Sequence, residues 1–494
     1  MEELPDCVFD AVIVGGGPAG CAVAAALSGL GKTTLLVDSG VDRKKLFSGE
    51  LLHPVGVSGL ADLGFLTALE QCGALPVKGF AVLEPDEPAM LLSYDTLGAG
   101  VTIEHARLVE ALQDDVLRRP HVTFWSNARV EGLVSQDAQD VSVRINRKGT
   151  RVIARGSMLV IATGRAGALR EELGIRERHE KISTMLGLTV SAADLPFADL
   201  GHVFVDGHAP ILGYATGDGL ARILVDVPDT VDWKTLADDP AWPRAVPEPL
   251  HGAMRKALKR GKPLFASNDV RLPHTSVRGR VCLVGDAAGC CHPLSVSGMT
   301  SAIRDALALR QALIASPNNV KSALRGYARA RRAPQRTRIA LSSALYRCFA
   351  ESSAEMGLLR RGMRRYWGSS IENQQASLAL LAGRDLRMTA MAKEYGSVVT
   401  HALVDWSRAA IAERNPVGTV AELGPIARLI GTIMPHARDA LVGALSDTAG
   451  HLKAQASRMP RRLVLPVSLP GVLSRSQRRR SEHGAGPGTS APTS

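Results

Sequence analysis

A glycine cluster near the N-terminus constrains the fold of this chain more than any other feature. Residues 15–20 read Gly-Gly-Gly-Pro-Ala-Gly, after the apolar strand-type run Phe9–Val14 and before a helix of small residues, Cys21–Leu30. Gly15 permits a tight turn, Gly17 lets the backbone approach a pyrophosphate, and Gly20 lets the helix pack on the strand. The free amides and the dipole at such a helix N-terminus attract phosphate groups. The cluster therefore predicts a dinucleotide site.

A second apolar run, Thr34–Val37, completes a strand, helix and strand order at the start of the chain. It ends at Asp38, which is positioned to accept hydrogen bonds from a ribose diol. A lone glycine motif is weak evidence, since glycines also serve plain turns. Here the motif lies inside a βαβ unit with an acidic residue at the second strand end, so dinucleotide binding is favoured.

A distant second motif indicates which dinucleotide is bound. The strand-type run Val281–Val284 leads to Gly285 and Asp286 at a turn, followed by His292–Leu294 and by a new helix near Gly298. An acidic residue at a strand end before a helix can bind the ribityl or pyrophosphate part of a flavin, with helix amides near the ring. Taken alone, this turn could be a helix cap. The pairing of the two motifs favours FAD.

Strand and helix signals alternate through the first two thirds of the chain. Short strands follow Gly79, a helical stretch covers His105–Arg119, strand texture returns at Gly201–Asp226, and helical patterns dominate Ala323–Leu452. This alternation predicts an α/β fold. We expect a Rossmann-like FAD-binding domain with an inserted mixed β-sheet substrate domain and a helical C-terminal region.

The predicted domain boundaries follow these changes in pattern. The expected parts are the FAD-binding domain in three segments (1–78, 101–185 and 276–322), the first part of the substrate sheet (79–100), the substrate domain (186–275), a helical C-terminal region (323–455) and a basic, Pro/Gly/Ser-rich disordered tail (456–494). The helical region carries an apolar stripe over Ile426–Leu441 beside Arg428 and Arg438. Most such stripes are core packing, but this one is also a candidate for contact with a membrane surface.

The formal net charge of +11 is distributed unevenly. Arginines concentrate at Arg325–Arg338, Arg360–Arg365 and Arg475–Arg480. Solvated helix faces and a basic tail explain such runs, and anionic lipid or an acidic partner protein are the alternatives. Nucleic acid is not an expected partner, because no recognised reading module accompanies the charge.

Cysteine use and the N-terminus indicate a cytoplasmic protein, peripheral on the membrane if the apolar stripe makes that contact. The seven cysteines are odd in number and have no paired metal spacing, so we expect neither a disulfide framework nor a resident metal. Residues 1–6 lack the basic start of a secretory signal, and no run of roughly 18 apolar residues suggests a spanning helix.

Several motifs together resemble the FAD-dependent aromatic-hydroxylase superfamily and, within it, the squalene epoxidase family. The matching segments are Gly49–Pro54, His105–Arg107, Pro210–Tyr214, Arg222–Asp226, Gly285–Thr300 with the following Asp305, Ala344–Tyr346 and Phe349. The block at Gly285–Thr300 is the most specific of them. The resemblance covers the chain up to about Ser407, and the rest more faintly.

The resemblance implies an FAD-dependent monooxygenase. Such an enzyme inserts one oxygen atom from O2, by epoxidation or hydroxylation, through a flavin C4a-hydroperoxide. It implies a hydrophobic isoprenoid or prenylated aromatic substrate, with NAD(P)H as the electron source, directly or through a reductase. The cofactor performs the chemistry and the protein orients the substrate and excludes water, so no nucleophilic triad is required.

The two motifs and the resemblance together give the expected site residues. Those expected to bind FAD are Gly15, Gly17, Pro18, Ala19, Gly20, Asp38, Ser39, Glu50, Arg107, Gly285, Asp286, Pro293, Gly298 and Met299. Tyr94 matches a substrate-side tyrosine of the family, or is a sheet aromatic with a satisfied hydroxyl. His292 is a proton donor or a structural turn residue, and the structural role is slightly favoured.

Four residues, in three parts of the sequence, depart from the family pattern. Thr163 stands where the family has an aspartate that helps hold the pyrophosphate and supports reductant binding. Val296 and Ser297 replace part of a glycine run beside the flavin, and Leu46 replaces an arginine. The departures make membership of the wider family a better expectation than identity as a true squalene epoxidase.

Two further hypotheses remain open. A flavin-dependent reductase of isoprenoid double bonds, similar to geranylgeranyl reductase, shares the turn at Gly285–Gly289. A non-catalytic escort protein for prenylated proteins is compatible with the same fold. A flavin halogenase is less favoured, because the sequence contains no Trp-x-Trp pair.

Overall fold

The computed structural model describes residues 7–412 except 42–46, 206–208, 239–243, 245 and 262. The strands in chain order are β1 (Cys7–Val14), β2 (Thr34–Val37), β3 (Leu51–Leu52), β4 (Leu75–Val77), β5 (Gly79–Leu83), β6 (Met90–Ser93), β7 (Gly100–Thr102), β8 (Val122–Trp125), β9 (Ala128–Gln136), β10 (Val141–Arg147), β11 (Thr150–Ile161), β12 (Glu177–Ser191), β13 (Gly201–Phe204), β14 (Ile211–Gly217), β15 (Leu220–Val227), β16 (Leu264–Pro273), β17 (Val277–Arg278) and β18 (Val281–Leu283). The helices are α1 (Pro18–Ser28), α2 (Pro54–Asp62), α3 (Leu66–Gln71), α4 (His105–Leu117), α5 (Ala168–Glu172), α6 (Leu250–Lys259), α7 (Gly298–Ala315), α8 (Val320–Ala350), α9 (Ala354–Ser369), α10 (Ile371–Leu381) and α11 (Met388–Ala412).

The first sheet has the order β17-β18-β11-β1-β2-β8, with β10 and β9 extending from β11. The neighbours from β18 to β8 run parallel, so these strands end at the same sheet edge. Helices α1, α4 and α7 cover one face, and their small and aliphatic side chains form a common core with the sheet. Ala24 and Leu27 of α1 and Leu112 of α4 are fully buried there. The predicted βαβ start is confirmed.

The second sheet has the order β16-β12-β15-β14-β13-β5-β6 and is antiparallel except between β13 and β5. Helix α6 packs on one face through Leu250 and Met254. Helices α8 to α11 pack on the other face through Trp367 and other apolar side chains. Strand β12 pairs within this sheet from Glu177, so the sheet begins before the boundary expected at residue 186.

A small third sheet has the order β3-β7-β4. Its strands lie in sequence between strands of the first sheet and strands of the second. The mixed α/β architecture confirms the predicted fold class, whereas the domain boundaries themselves stay predictions. Across the described ranges, no helix combines the length and the apolar content needed to cross a bilayer. The apolar stripe at Ile426–Leu441, the Arg475–Arg480 run, the predicted tail and Leu46 lie outside the described residues.

The arginine run on α8 is only partly a solvated face. Arg325, Arg329 and Arg332 are exposed, as the sequence pattern suggests. Arg331 and Arg338 are instead buried, with 7% and 5% of their surface exposed. Arg338 donates to the Gly289 carbonyl at 2.7 Å, and Arg331 pairs with a buried carboxylate described below. For these two arginines the expectation of solvent exposure is wrong, because buried acceptors compensate their desolvation.

Candidate functional site

The carboxyl ends of the parallel strands bring the two sequence motifs together. The glycine cluster follows β1, Asp38 follows β2, Thr163 and Gly164 follow β11, and Gly285 follows β18 after one intervening residue. Because neighbouring parallel strands end at one sheet edge, these segments lie side by side. We call residues 15–20, Asp38, Gly285, Asp286 and the N-terminus of α7 the dinucleotide cradle.

Three glycines of the cradle have different steric reasons to be glycine. Gly15 has φ +106°, and a Cβ there would lie 2.5 Å from the Ala162 carbonyl oxygen. A Cβ on Gly20 would lie 1.8 Å from the Gly15 carbonyl oxygen, so helix and strand meet backbone to backbone. A Cβ on Gly17 would meet no atom within 4 Å. The space beside Gly17 is therefore free for a ligand at the N-terminus of α1.

Asp38 is buried, with 7% of its surface exposed. Its carboxylate accepts the Gly16 amide at 2.7 Å and the Gly40 amide at 3.0 Å. Gln113 on α4 donates to the Gly16 carbonyl at 2.6 Å. Asp38 thus holds the glycine turn as well as standing at the strand end where a ribose is expected. Gln113 was missed in the sequence, because nothing local links it to the turn.

The second motif packs directly against the first. A Cβ on Gly285 would lie 2.9 Å from the Ala19 side chain of α1. The Gly285 amide donates to Asp305 at 2.9 Å, and Asp305 accepts the Arg331 guanidinium at 2.9 Å. This buried ion pair on α7 and α8 fixes the turn. Arg331 was not singled out in the sequence, since it lies in a run of arginines.

The cradle keeps accessible surface where a ligand would lie. Asp286 is partly exposed, and its Oδ1 would lie 3.9 Å from a Cβ on Gly298 at the start of α7. Other predicted cofactor residues of the cradle and its surroundings with accessible surface include Gly15, Gly17, Pro18, Ala19, Ser39, Pro293, Gly298 and Met299. An open surface between two helix N-termini, bounded by glycines, fits an anionic dinucleotide such as FAD.

Glu50 is placed by an ion pair that crosses to the second sheet. Its two oxygens accept Arg222 Nε at 3.0 Å and Arg222 Nη2 at 3.1 Å, and 4% of Glu50 is exposed. Burial raises the pKa of Glu50, and the Arg222 guanidinium opposes that rise. Arg222 was matched only as part of a strand, so its role here was missed. The bidentate geometry makes Glu50, which directly precedes β3, a fixed anchor between the third sheet and the second.

Arg107, predicted to bind FAD, lies at the surface in this structure. It forms ion pairs with Asp218, in the turn between β14 and β15, and with Glu104 at 3.4 Å. Its guanidinium therefore bridges α4 and the second sheet. Its contact with FAD stays a prediction.

The Tyr94 hydroxyl begins a buried chain of hydrogen bonds that continues through His53. Tyr94 Oη lies 2.6 Å from His53 Nδ1, and His53 Nε2 lies 2.9 Å from the Ser295 carbonyl oxygen. A carbonyl only accepts, so Nε2 carries the proton and Nδ1 accepts the Tyr94 hydroxyl proton. Burial lowers the pKa of His53 to about 4 and raises the pKa of Tyr94, which keeps both neutral. His53 was missed in the sequence, although it lies in a matching segment.

His292 has both ring nitrogens engaged. Nδ1 accepts the Leu294 amide at 3.2 Å and so caps the 3-10 turn Pro293–Ser295, while Nε2 lies 3.4 Å from Asp226 and from Ser183. Its ring packs on Tyr346 of α8, with centroids 4.1 Å apart. This arrangement is that of a residue that holds the turn, the role favoured from the sequence.

An apolar cavity lies between the second sheet and the C-terminal helices. It is open to solvent on one side, and its space not occupied by atoms, open solvent included, is about 1050 Å³. Phe80 and Leu92 of the sheet line it, as do Ala344 of α8 and Trp367 of α9. Leu294, in the turn before α7, also lines it. The cavity wall therefore includes the turn that leads into the cradle.

Comparisons with solved structures agree with this architecture. The p-nitrophenol 4-monooxygenase PnpA from Pseudomonas putida superposes with a TM-score of 0.67 at 18% identity, over 77% of this chain and all of that one. PqsL from Pseudomonas aeruginosa, in complex with 2-aminobenzoylacetate, superposes with a TM-score of 0.60 at 22% identity, over 70% of this chain and 97% of its own. At these identities the likeness concerns the fold, which confirms the Rossmann-like prediction.

Comparisons of sequence identify the family. The squalene epoxidase family model matches residues 155–412. A squalene epoxidase from Aspergillus fumigatus is 28% identical over 391 residues, which cover 75% of this chain and 81% of that protein. A squalene epoxidase from Saccharomyces cerevisiae is 26% identical over 407 residues, which cover 73% of this chain and 81% of that protein. The chain belongs to the squalene epoxidase family, for which NAD(P)H is the typical electron donor, and is an FAD-dependent monooxygenase that inserts oxygen into a hydrophobic substrate.

Proposed function

We propose that the chain epoxidises or hydroxylates an isoprenoid, or the isoprenoid arm of a prenylated aromatic compound, held in the apolar cavity. The observation that carries the proposal is the shared wall at Leu294, which lines the cavity and lies in the turn leading to α7 of the cradle. The lining is almost wholly aliphatic and aromatic, so it suits a hydrocarbon chain. Squalene, which appears in the names of the related proteins, is one such hydrocarbon.

The cofactor residues of the proposal follow from the cradle. The amides at the start of α1, opened by Gly17, would hold the pyrophosphate, and Asp38 would meet the ribose. Asp286 and the N-terminus of α7 at Gly298 and Met299 would lie beside the flavin end. When bound and reduced, FAD would provide the activation of O2 that oxygen transfer to the substrate requires.

The protein's own groups orient the substrate and keep the reaction dry. His53 and Tyr94 fix the Ser295 carbonyl from the buried side, since the Tyr94 proton points at His53 and not into the cavity. His292 fixes the same turn through the Leu294 amide. Apolar walls exclude water, which protects the oxygen-transfer step from side reactions. Tyr94 and His292 are thus positioning residues in this proposal.

Two partners complete the proposal. A separate reductase would pass electrons from NAD(P)H to FAD, a route suggested by Thr163 at the position where the family has aspartate. An anionic membrane would supply the substrate, with Arg325, Arg329 and Arg332 forming one exposed face of α8. Reversing these three charges to glutamate should lower binding to phosphatidylserine vesicles by about tenfold or more. The matched control reverses three exposed charges, Arg129 of β9, Arg144 of β10 and Lys148 in the turn between β10 and β11.

Oxygen consumption by the FAD-loaded protein tests the reaction. The assay uses NADPH with and without a flavoprotein reductase, and adds squalene or a prenylated aromatic compound under ¹⁸O₂. A product heavier by one labelled oxygen atom supports the proposal and identifies the substrate class. Dependence on the added reductase supports the separate electron donor.

Two outcomes would reject the proposal. Saturation of a substrate double bond without oxygen incorporation would favour the reductase hypothesis. Retention of a prenylated ligand without oxygen uptake would favour the escort hypothesis. Anaerobic flavin bleaching by NADPH alone, at the rate of turnover, would remove the need for a separate reductase.

A further inference from the structure

Among the described residues that line the apolar cavity, Glu394 of α11 is the one with a formal charge. It is 91% buried, since 9% of its surface is exposed. Ser377 of α10 lines the cavity beside it. A carboxylate facing an apolar cavity is costly unless a partner compensates the lost hydration.

The partners of Glu394 compensate only part of this cost. Tyr366 donates its hydroxyl to Oε1 at 2.8 Å, and Ser377 donates to Oε2 at 2.9 Å. Trp367 in turn donates to Ser377 Oγ at 3.0 Å, which orients that hydroxyl. Each carboxylate oxygen accepts more than one hydrogen bond, so capacity remains on both. Within the described ranges no lysine, arginine or histidine forms an ion pair with Glu394.

We propose that Glu394 binds a hydrogen-bond donor at one end of the substrate, a hydroxyl or an amine. The substrate is then an isoprenoid with a polar head group and not a plain hydrocarbon. This inference rests on the proposed function, because it names the substrate class of the same cavity. The head group lies against α11, and the chain extends along the cavity towards Leu294, where the oxidised double bond would be.

The arrangement explains why a charge is kept in this apolar wall. A charge-assisted hydrogen bond is shorter and about twice as strong as a neutral one. A donor head group would supply a further hydrogen bond to the carboxylate, in addition to those from Tyr366 and Ser377. A hydrocarbon end would leave the carboxylate desolvated on that side, so Glu394 selects against it.

Binding to the FAD-loaded, oxidised protein tests this without turnover. The probes are geranylgeraniol, geranylgeranylamine and the hydrocarbon of equal chain length, followed by the emission of tryptophan, since Trp367 lines the cavity. We expect the donor-bearing probes to bind about tenfold more tightly than the hydrocarbon. In Glu394→Gln this preference should fall to about threefold or less, because a neutral amide accepts more weakly. Hydrocarbon affinity should rise, because a neutral amide costs less to desolvate than a carboxylate.

The control is Glu372→Gln, at an exposed position on α10, which should retain the full preference. Equal binding of all three probes by the wild-type protein would overturn the Glu394 assignment and leave the cavity as the substrate site. No binding of any probe would overturn both. If only the amine binds more tightly than the hydrocarbon, the head group is cationic. If the alcohol and the amine bind more tightly than the hydrocarbon by the same factor, a neutral hydrogen-bond donor is sufficient. The wild-type ranking decides even if the Glu394 variant does not fold.

Discussion

In the dinucleotide cradle, a ligand would meet backbone amides at the start of α1, beside the open space at Gly17. In the apolar cavity, a ligand would meet side chains from the second sheet and from α8 to α11. The cradle is set by close approach of main chains, down to the 1.8 Å that separates a hypothetical Gly20 Cβ from the Gly15 oxygen. The cavity has free volume instead. A single methyl group should therefore matter far more in the cradle than in the cavity.

The largest effect is expected from Gly20→Ala. The added Cβ collides with the Gly15 carbonyl oxygen, which is backbone and cannot rotate away. Strand and helix must separate, so we expect a loss of about 3 kcal/mol in unfolding free energy and a fall of about a hundredfold in FAD affinity. Urea denaturation of the apoprotein and flavin fluorescence titration measure the two quantities.

Gly17→Ala is the matched control for Gly20→Ala. Its Cβ enters open space, so apoprotein stability should stay within about 1 kcal/mol of wild type. FAD affinity should still fall, because the methyl group occupies the space beside the pyrophosphate. Equal destabilisation of the two apoproteins would contradict the division between a packing glycine and a ligand glycine.

Filling the cavity should separate catalysis from cofactor binding. Ala344→Trp places an indole in the cavity wall, so we expect substrate turnover to fall by about tenfold or more while FAD affinity stays unchanged. Lys321→Trp, at an exposed position on the same helix, should leave turnover unchanged. The measurement is oxygen uptake against substrate concentration, alongside flavin titration. Loss of FAD from the Ala344 variant would show that the two regions are not independent.

The pH dependence of stability tests His53, which contacts the turn between the two regions at the Ser295 carbonyl. His53 is buried and neutral, with its pKa lowered to about 4 from an ordinary value of 6.5 by burial. His53 binds a proton more readily in the unfolded chain than in the folded one. Its contribution to the free energy of unfolding is therefore present above about pH 6.5 and is lost as the pH falls towards 4. His53→Gln can donate to Ser295 and accept from Tyr94 without titrating.

We therefore expect wild type to lose about 2 kcal/mol more than His53→Gln between pH 7 and about pH 4.5. Urea denaturation at the two pH values provides the measurement. His202, whose pKa burial also lowers to about 4, is present in both proteins and accounts for a shared acid sensitivity. Equal losses in the two proteins would show that His53 is not buried as a neutral acceptor.

The two regions also differ in how far the sequence predicts them. The glycine turn, Asp38 and the Gly285 turn are local patterns at strand ends, and the parallel sheet brings them together by a general rule. The contacts that connect the sheets and hold the turn before α7 instead depend on pairs far apart in the chain. Glu50 and Arg222 are 172 positions apart, and His53 and Ser295 are 242 apart. No local periodicity encodes such pairs, because they arise from the packing of two sheets and a helical layer.

The smallest effect should arise at Val296, where the two regions meet. The turn that lines the cavity through Leu294 ends here, with Val296 at φ +50°, a left-handed conformation that is rare for a β-branched residue. Glycine avoids the steric cost of this conformation and alanine does not. We expect Val296→Gly to be more stable than Val296→Ala by about 1 kcal/mol. At Ser297, with φ −88°, we expect Ser297→Ala to be more stable than Ser297→Gly by about 0.5 kcal/mol. Thermal unfolding of the four variants measures both differences. If the alanine variant is more stable than the glycine variant at both positions, side-chain packing and not backbone conformation controls this turn. The dependence on backbone conformation seen in the cradle would then not extend to the turn before α7.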